Sequence, residues 1–269
     1  MEAKCIDVSS YQKTIDFKKV KASGIDNVII RCGFTGYGLS HSKNKDDFFE
    51  AHYKNAKSAG MNVGVYYYSC AVTEKEAQEE AEFVLSLLKG KQFELPIYMD
   101  VEDAHDVKAS GVYPESQQSI GKARLTAVVN KFCATIEKAG YFVGIYSGKY
   151  WFKDNMDMSV LNRYTIWLAQ WTNKPDYEGD FGLWQYTDSG KVNGISGNVD
   201  MNVMYVDFPT IIKQYGLNGF TLSDISEKEP IVEPEKEETK TETIKGDING
   251  DGVVDLNDVI ALIEIIKNK

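Results

Sequence analysis

The order of patterns along the chain predicts an α/β barrel of five strand-helix units closed by three further strands. Three observations carry this expectation. Short β-rich runs alternate with amphipathic stretches, as a parallel sheet requires. Three of those stretches are followed by a glycine suited to the left-handed conformation that ends helices. From Tyr164 onward the alternation stops, and strands follow one another with no long helix between them.

Taken in order, Lys4 to Val8, Asn27 to Cys32, Val63 to Tyr68, Pro96 to Val101 and Phe142 to Tyr146 read as strands. Helical patterns occupy Phe17 to Ala22, Phe48 to Ala59, Glu74 to Leu88 and Gln117 to Ala139, with Gly24, Gly60 and Gly140 as the terminators. Thr165 to Gln170 and Gly182 to Tyr186 supply closing strands in a more hairpin-like arrangement. The barrel is expected over residues 1–217.

The chain has 269 residues, 43% of them hydrophobic, which is ample for a core of this size. Its net charge of −10 disfavours nucleic acid or anionic lipid as partners. No apolar run is long enough to span a membrane. The acidity is concentrated at the end: Ser223 to Lys245 holds eight acidic and four basic residues with two prolines and no aromatic, the composition of a linker, expected over 218–245. Cys5, Cys32, Cys70 and Cys133 have no CxxC spacing and read as small buried hydrophobes, with a Cys5 to Cys32 bridge left open.

Acidic residues inside barrel strands are costly unless they are hydrogen-bonded or functional. Asp7 ends the first strand, Asp100 and Glu102 end the fourth, and Asp200 follows Gly-Asn-Val near the end of the barrel. Alternation puts Asp100 and Glu102 on one face about 7 Å apart. Crowding raises one carboxyl pKa, and a carboxyl still protonated near neutrality is what protonates a leaving sugar oxygen. Glu102, the longer and more terminal, is the expected acid; the competing reading is a structural network with Arg31. Tyr66, Tyr146, Gln170, Trp184 and Gln185 are the expected sugar-binding residues, because aromatic faces combined with amides suit sugar rings.

These residues resemble glycoside hydrolase family 25, the Chalaropsis-type lysozymes. The resemblance spans roughly residues 4–215 and rests on six blocks in order: Ile6 to Gln12, Gly64 to Ser69, Met99 to Asp103, Trp167 to Trp171, Leu183 to Tyr186 and Gly197 to Asn202. It implies a flattened TIM-like barrel, a bacterial protein acting outside the cell, and cleavage of the β-1,4 bond from N-acetylmuramic acid to N-acetylglucosamine in peptidoglycan. It implies catalysis without a cofactor, with Glu102 as proton donor and Asp7, Asp100 and Asp200 beside it. Acetamide participation with Asp100 orienting the acetamide is favoured over an inverting water. Met-Glu-Ala-Lys is not a signal-peptide opening, so a leader is expected to be absent from this chain. Gly33 to Asp47 departs from the family's usual Thr-Glu-Gly stretch. A chitin-directed glycosidase and a noncatalytic cell-wall glycan-binding or anchoring protein are the rivals.

Residues 246–269 read as a separate module. Asp247, Asn249, Asp251, Val253, Asp255 and Asp258 match a calcium loop, with Gly252 at its sharp turn. The following apolar stretch, Val259 to Lys267, makes the segment resemble a single dockerin repeat. That resemblance implies bound Ca2+ and a cohesin domain of a scaffoldin or surface protein as partner.

Overall fold

The structure is a computed structural model that describes residues 2–36, 42–102 and 115–221. The chain divides into two units, Met1–Glu227 and Lys228–Lys269. The second, with the expected calcium loop, lies outside the described residues, as do His41 and His105.

Eight strands close into a barrel. They are β1 (Ala3–Val8), β2 (Asn27–Thr35), β4 (Asn62–Tyr68), β5 (Ile97–Asp100), β6 (Val143–Gly148), β7 (Thr165–Ala169), β8 (Leu183–Gly190) and β9 (Val199–Met204); β3 (Lys43–Lys45) is a short addition hydrogen-bonded to β2. Pairing is parallel from β1 through β8. β9 lies antiparallel to both β8 and β1 and closes the ring. Helices α1 (Phe17–Ala22), α2 (Phe49–Ser58), α3 (Glu74–Leu88) and α4 (Lys122–Lys138) follow β1, β3, β4 and β5, a π-helical turn at Trp151–Asn155 and α5 (Met158–Leu161) follow β6, and α6 (Phe208–Gln214) ends the barrel.

Five strand-helix units and three closing strands are therefore present, with one correction. β7 and β8 are parallel rather than hairpin-like, joined through the long irregular connection 170–182. A parallel return needs a connection of a dozen or more residues, and an irregular segment meets that length as well as a helix does. Of the three closing strands, β8 and β9 form a hairpin.

Local sequence explains most boundaries. Gly24, Gly60 and Gly140 have φ of +80°, +71° and +86°, the left-handed conformation expected of helix terminators. Thr73 and Glu76 form a capping box that starts α3, satisfying two backbone donors. The barrel extends past the expected edge at residue 217. Asn218 is fully buried, its Nδ2 donating to the Leu95 carbonyl (2.9 Å) and its Oδ1 accepting from Phe142 N (2.7 Å).

Two apolar layers result from strand alternation. Outward-facing residues such as Ile6, Val28, Ile30, Val63, Val65, Met99 and Leu168 pack under the helices against Val84, Phe132 and Val129. Inward-facing Cys5, Ile29, Tyr98, Tyr146, Trp167, Leu183 and Met204 fill the barrel. Its interior is tight: a Cβ at Gly144 would collide with Tyr98 Cε1 and lie 2.6 Å from Thr165 Cγ2. All four cysteines are free thiols, with Cys5, Cys32 and Cys133 buried. Among the described residues, no helix is long and apolar enough to cross a membrane.

Candidate active site

Filling the lower barrel with Trp167 and its aromatic neighbours sets the floor on which polar side chains stand. Tyr146, Tyr98 and Tyr66 pack their rings 4.5, 5.1 and 5.9 Å from that of Trp167. Above them, at the carboxyl ends of the parallel strands, a cavity of about 460 Å³ opens. Parallel barrels place chemistry at this end because loops there are free to vary while the strands hold their first residues rigidly. Asp7, Asp100, Glu102 and Asp200 all line it, together with Tyr11, Arg31, Phe34, Thr35, Tyr66 and Tyr68.

The four carboxylates differ in surroundings. Asp7 is buried, and its Oδ2 accepts from Gln185 Nε2 (3.0 Å) and Asn202 Nδ2 (2.8 Å). It faces Asp200 across the β1–β9 pairing. Burial raises the Asp7 pKa, while the amides of Asn202 and Gln185 and a hydrogen bond from Asp200 oppose the rise. Burial, then the charge of Asp7 and the hydrogen bond between the two, push Asp200 up to about 9.

Asp100 is buried, and its Oδ1 has no hydrogen-bond partner among the described residues. Burial first, then the charges of Glu102 and Asp7, raise its pKa well above the carboxylate range. Glu102, by contrast, is exposed. The charge of Glu102 thus adds to a rise on Asp100 whose first cause is burial.

Arg31 pairs with Asp46. Its Nη2 and Nε lie 2.7 and 2.8 Å from Oδ2 of the fully buried Asp46, and Nη2 also donates to Ser10 Oγ (2.9 Å). Its guanidinium stands between the rings of Tyr11 (5.2 Å) and Phe34 (5.0 Å). Tyr11, 83% exposed, is held at the cleft by the turn Ser10–Gln12, which Ser9 and Gln12 close as a capping box. Nearby, Glu80 of α3 accepts from Ser69 Oγ (2.5 Å), Thr35 Oγ1 (2.6 Å) and Cys70 N (3.1 Å), tying the ends of β2 and β4 together behind the cleft. Burial pushes Glu80 up to about 7.

Of the five expected sugar-binding residues, Tyr66 alone lines the cavity. Tyr146 donates to Gln185 Oε1 (3.0 Å), and Gln185 reaches Asp7, so both stand behind the carboxylates. Trp184 has opposite strand parity and packs outside the barrel, its Nε1 on the Gln170 carbonyl (2.8 Å). The Gln170 side chain bonds Asp176 within the 170–182 connection. Tyr11, Arg31 and Asn202 were not singled out as site residues; the available signal was their position in or one strand from the motif blocks, with parity matching Asp7 or Asp200. Among the described residues, no group of three or more His, Cys, Asp and Glu could hold a metal ion.

The family model for Glycosyl hydrolases family 25 matches residues 6–195. This chain belongs to that family. The family 25 barrel is 30% identical over 200 residues to the autolytic lysozyme of Clostridium acetobutylicum, covering 74% of this chain and 55% of that protein. It superposes on the modular autolysin LytC from Streptococcus pneumoniae with a TM-score of 0.65 at 30% identity, over 76% of this chain and 47% of that one. LytC is also solved in complex with a synthetic peptidoglycan ligand. The chain thus spans about half the length of these two relatives. A family 25 glycosyl hydrolase from Bacillus anthracis shares the fold, with a TM-score of 0.62 at 24% identity over 76% of this chain and 89% of that one.

Proposed function

We propose that the barrel is a peptidoglycan hydrolase, a muramidase that cleaves the β-1,4 bond from N-acetylmuramic acid to N-acetylglucosamine. The observation that carries the reading is the convergence of Asp7, Asp100, Glu102 and Asp200 on one cleft at the strand ends. Membership of family 25 and the likeness to a lysozyme and an autolysin support it. Glu102 is the proton donor: of the four it is the exposed one, able to meet a glycosidic oxygen and exchange its proton with water. Asp100 orients the substrate's acetamide. A buried carboxylate oxygen with no partner costs about 1–3 kcal/mol, and an acetamide N–H entering the cleft supplies the missing donor to Asp100 Oδ1. The same bond favours ionised Asp100 as substrate arrives, which prepares the acetamide oxygen to attack the anomeric carbon. Asp7 and Asp200 hold one negative charge between them beside the developing positive charge.

The reading extends to the rest of the chain. The protein acts on the cell wall from outside the cell, and residues 246–269 bind Ca2+ through Asp247, Asn249, Asp251, the Val253 carbonyl, Asp255 and Asp258 and dock onto a cohesin domain. The loop's match to calcium spacing supports this part.

The test is reducing-end analysis of purified peptidoglycan digested by wild type and by Glu102→Gln, with borohydride-reduced fragments identified by mass spectrometry. New reduced muramic acid ends, lost by a factor of about 10² or more in the variant, are expected. No new ends from a folded wild type that still sediments with cell wall would establish a binding protein instead. Cleavage of chitin oligomers in preference to peptidoglycan would establish the chitin-directed rival.

A further inference from the structure

Asp7 and Asp200 face each other across the β1–β9 pairing, and the side chains around Asp7 decide which of the two holds a shared proton. Two amides meet at Asp7 Oδ2, from Gln185 on β8 and Asn202 on β9, 178 and 195 residues away in sequence. An amide can present either its carbonyl or its NH2 to a neighbour, so each orientation depends on a second contact. Here both second contacts are indoles. Trp171 Nε1 donates to Gln185 Oε1 (3.1 Å), and Trp167 Nε1 donates to Asn202 Oδ1 (2.7 Å). An indole N–H donates and never accepts, so the atom facing it is the amide oxygen. The NH2 of each amide is thereby committed to Asp7. Tyr146 Oη adds a second donor to Gln185 Oε1.

We infer that Gln185 and Asn202 are positioning residues for the hydrolytic reaction, locked by Trp171 and Trp167 so that Asp7 is held as the carboxylate and the shared proton resides on Asp200. Two amide N–H groups that cannot turn away lower the proton affinity of Asp7, and Asp200 becomes the donor in their mutual bond. Turning either amide would set a carbonyl against the carboxylate and an NH2 against an indole N–H, losing two hydrogen bonds and adding two repulsive contacts. The arrangement therefore maintains a fixed charge of −1 on the pair at the pH where a buried two-carboxylate site would otherwise gain a second proton.

Other titratable and charged groups also face the pair: Asp100 and Glu102 at the end of β5, Arg31 on β2, Asp188 on β8, Tyr66 on β4, Tyr146 on β6 and Cys5 on β1. Their charges are unaltered by Gln185→Leu, which removes one donor from Asp7 and adds no charge. Trp171 is 58% exposed, so Trp171→Phe removes the lock with little change to the core while Tyr146 still holds the amide.

The inference rests on the hydrolase reading for its kinetic consequence but not for its spectroscopic one, and the experiment uses both. The pH profile of kcat/KM on soluble peptidoglycan fragments is measured for wild type, Gln185→Leu and Trp171→Phe. In parallel, the carboxylic C=O absorption of the resting protein is titrated by infrared spectroscopy, with Asp200→Asn assigning the band. Gln185→Leu is expected to move the acid limb and the infrared titration of the pair upward by about one pH unit, the equivalent of one charge-assisted hydrogen bond. Trp171→Phe is expected to move both in the same direction by less. A loss of kcat or rise in KM at unchanged limb and unchanged infrared titration, in variants with wild-type unfolding transitions, would overturn the inference. If wild type lacks turnover, the hydrolase reading fails on its own and the infrared shift alone decides the positioning role.

Discussion

Replacing Asp200 by asparagine should stabilise the protein at neutral pH and above. Asparagine is close in shape and still donates to Asp7, as the protonated Asp200 does. The ordinary carboxylate value is 3.8, and in the folded protein Asp200 is pushed up to about 9. A raised carboxyl pKa means that the folded state holds the proton more tightly. The stability due to this group is therefore fully present below about 3.8 and is lost progressively as pH rises toward about 9. At about 1.4 kcal/mol for each pH unit, the cost by pH 7 has an upper bound of about 4 kcal/mol. Asp200 keeps partial contact with solvent and shares its proton, so about 2 kcal/mol is the working figure. Asparagine escapes that cost. For a barrel of this size the gain corresponds to about 5 °C in Tm. The assay is thermal unfolding of wild type and Asp200→Asn from about pH 4 to pH 8, with the gap expected to be near zero at the acidic end and to widen as pH rises. Parallel curves, or a variant that loses more stability at pH 8 than at pH 4, would refute the reasoning.

Two further perturbations test the frame of the cleft. Asp46→Ala leaves the largely buried Arg31 without its counter-ion and should cost about 3–5 kcal/mol in urea unfolding, because Asp46 is fully buried and also accepts from Ser10 N (3.0 Å) and Phe48 N (2.9 Å); a loss under about 1 kcal/mol would mark the pair as surface-like. Gly144→Ala should cost about 1–3 kcal/mol by the same assay, since the new methyl meets Tyr98 and Thr165 inside a filled barrel, and an unchanged midpoint would show that the interior yields there.

Much of the fold was legible because its signals are local. Alternation located β1, β4 and β6 to within a residue or two at their starts, and the glycines with positive φ ended the helices as expected. The parallel pairing of β7 with β8 was not legible, since the irregular connection 170–182 carries no periodicity to distinguish a crossover from a wide hairpin. Asn218 falls within the expected linker 218–245, and only its partners at Leu95 and Phe142 show it to be part of the barrel.

The site divides along the same line. By itself the sequence pointed to Asp7, Asp100 and Glu102 at the ends of strands and to Asp200 after Gly-Asn-Val near the end of the barrel, because an acidic residue in or beside a β-rich run is chemically conspicuous wherever the run folds. It also determined that aromatic and amide side chains accompany them. Tertiary structure alone decided which of these reach the cleft. Trp184 and Gln185 are adjacent in sequence, yet one packs outside the barrel and the other bonds Asp7, because neighbouring strand residues point to opposite faces and only ring closure defines the inside. Tertiary structure also decided where the protons reside. The pKa of Asp200 depends on Asp7, which stands at the other end of the barrel's sequence and becomes its neighbour only when β9 returns to close the ring against β1.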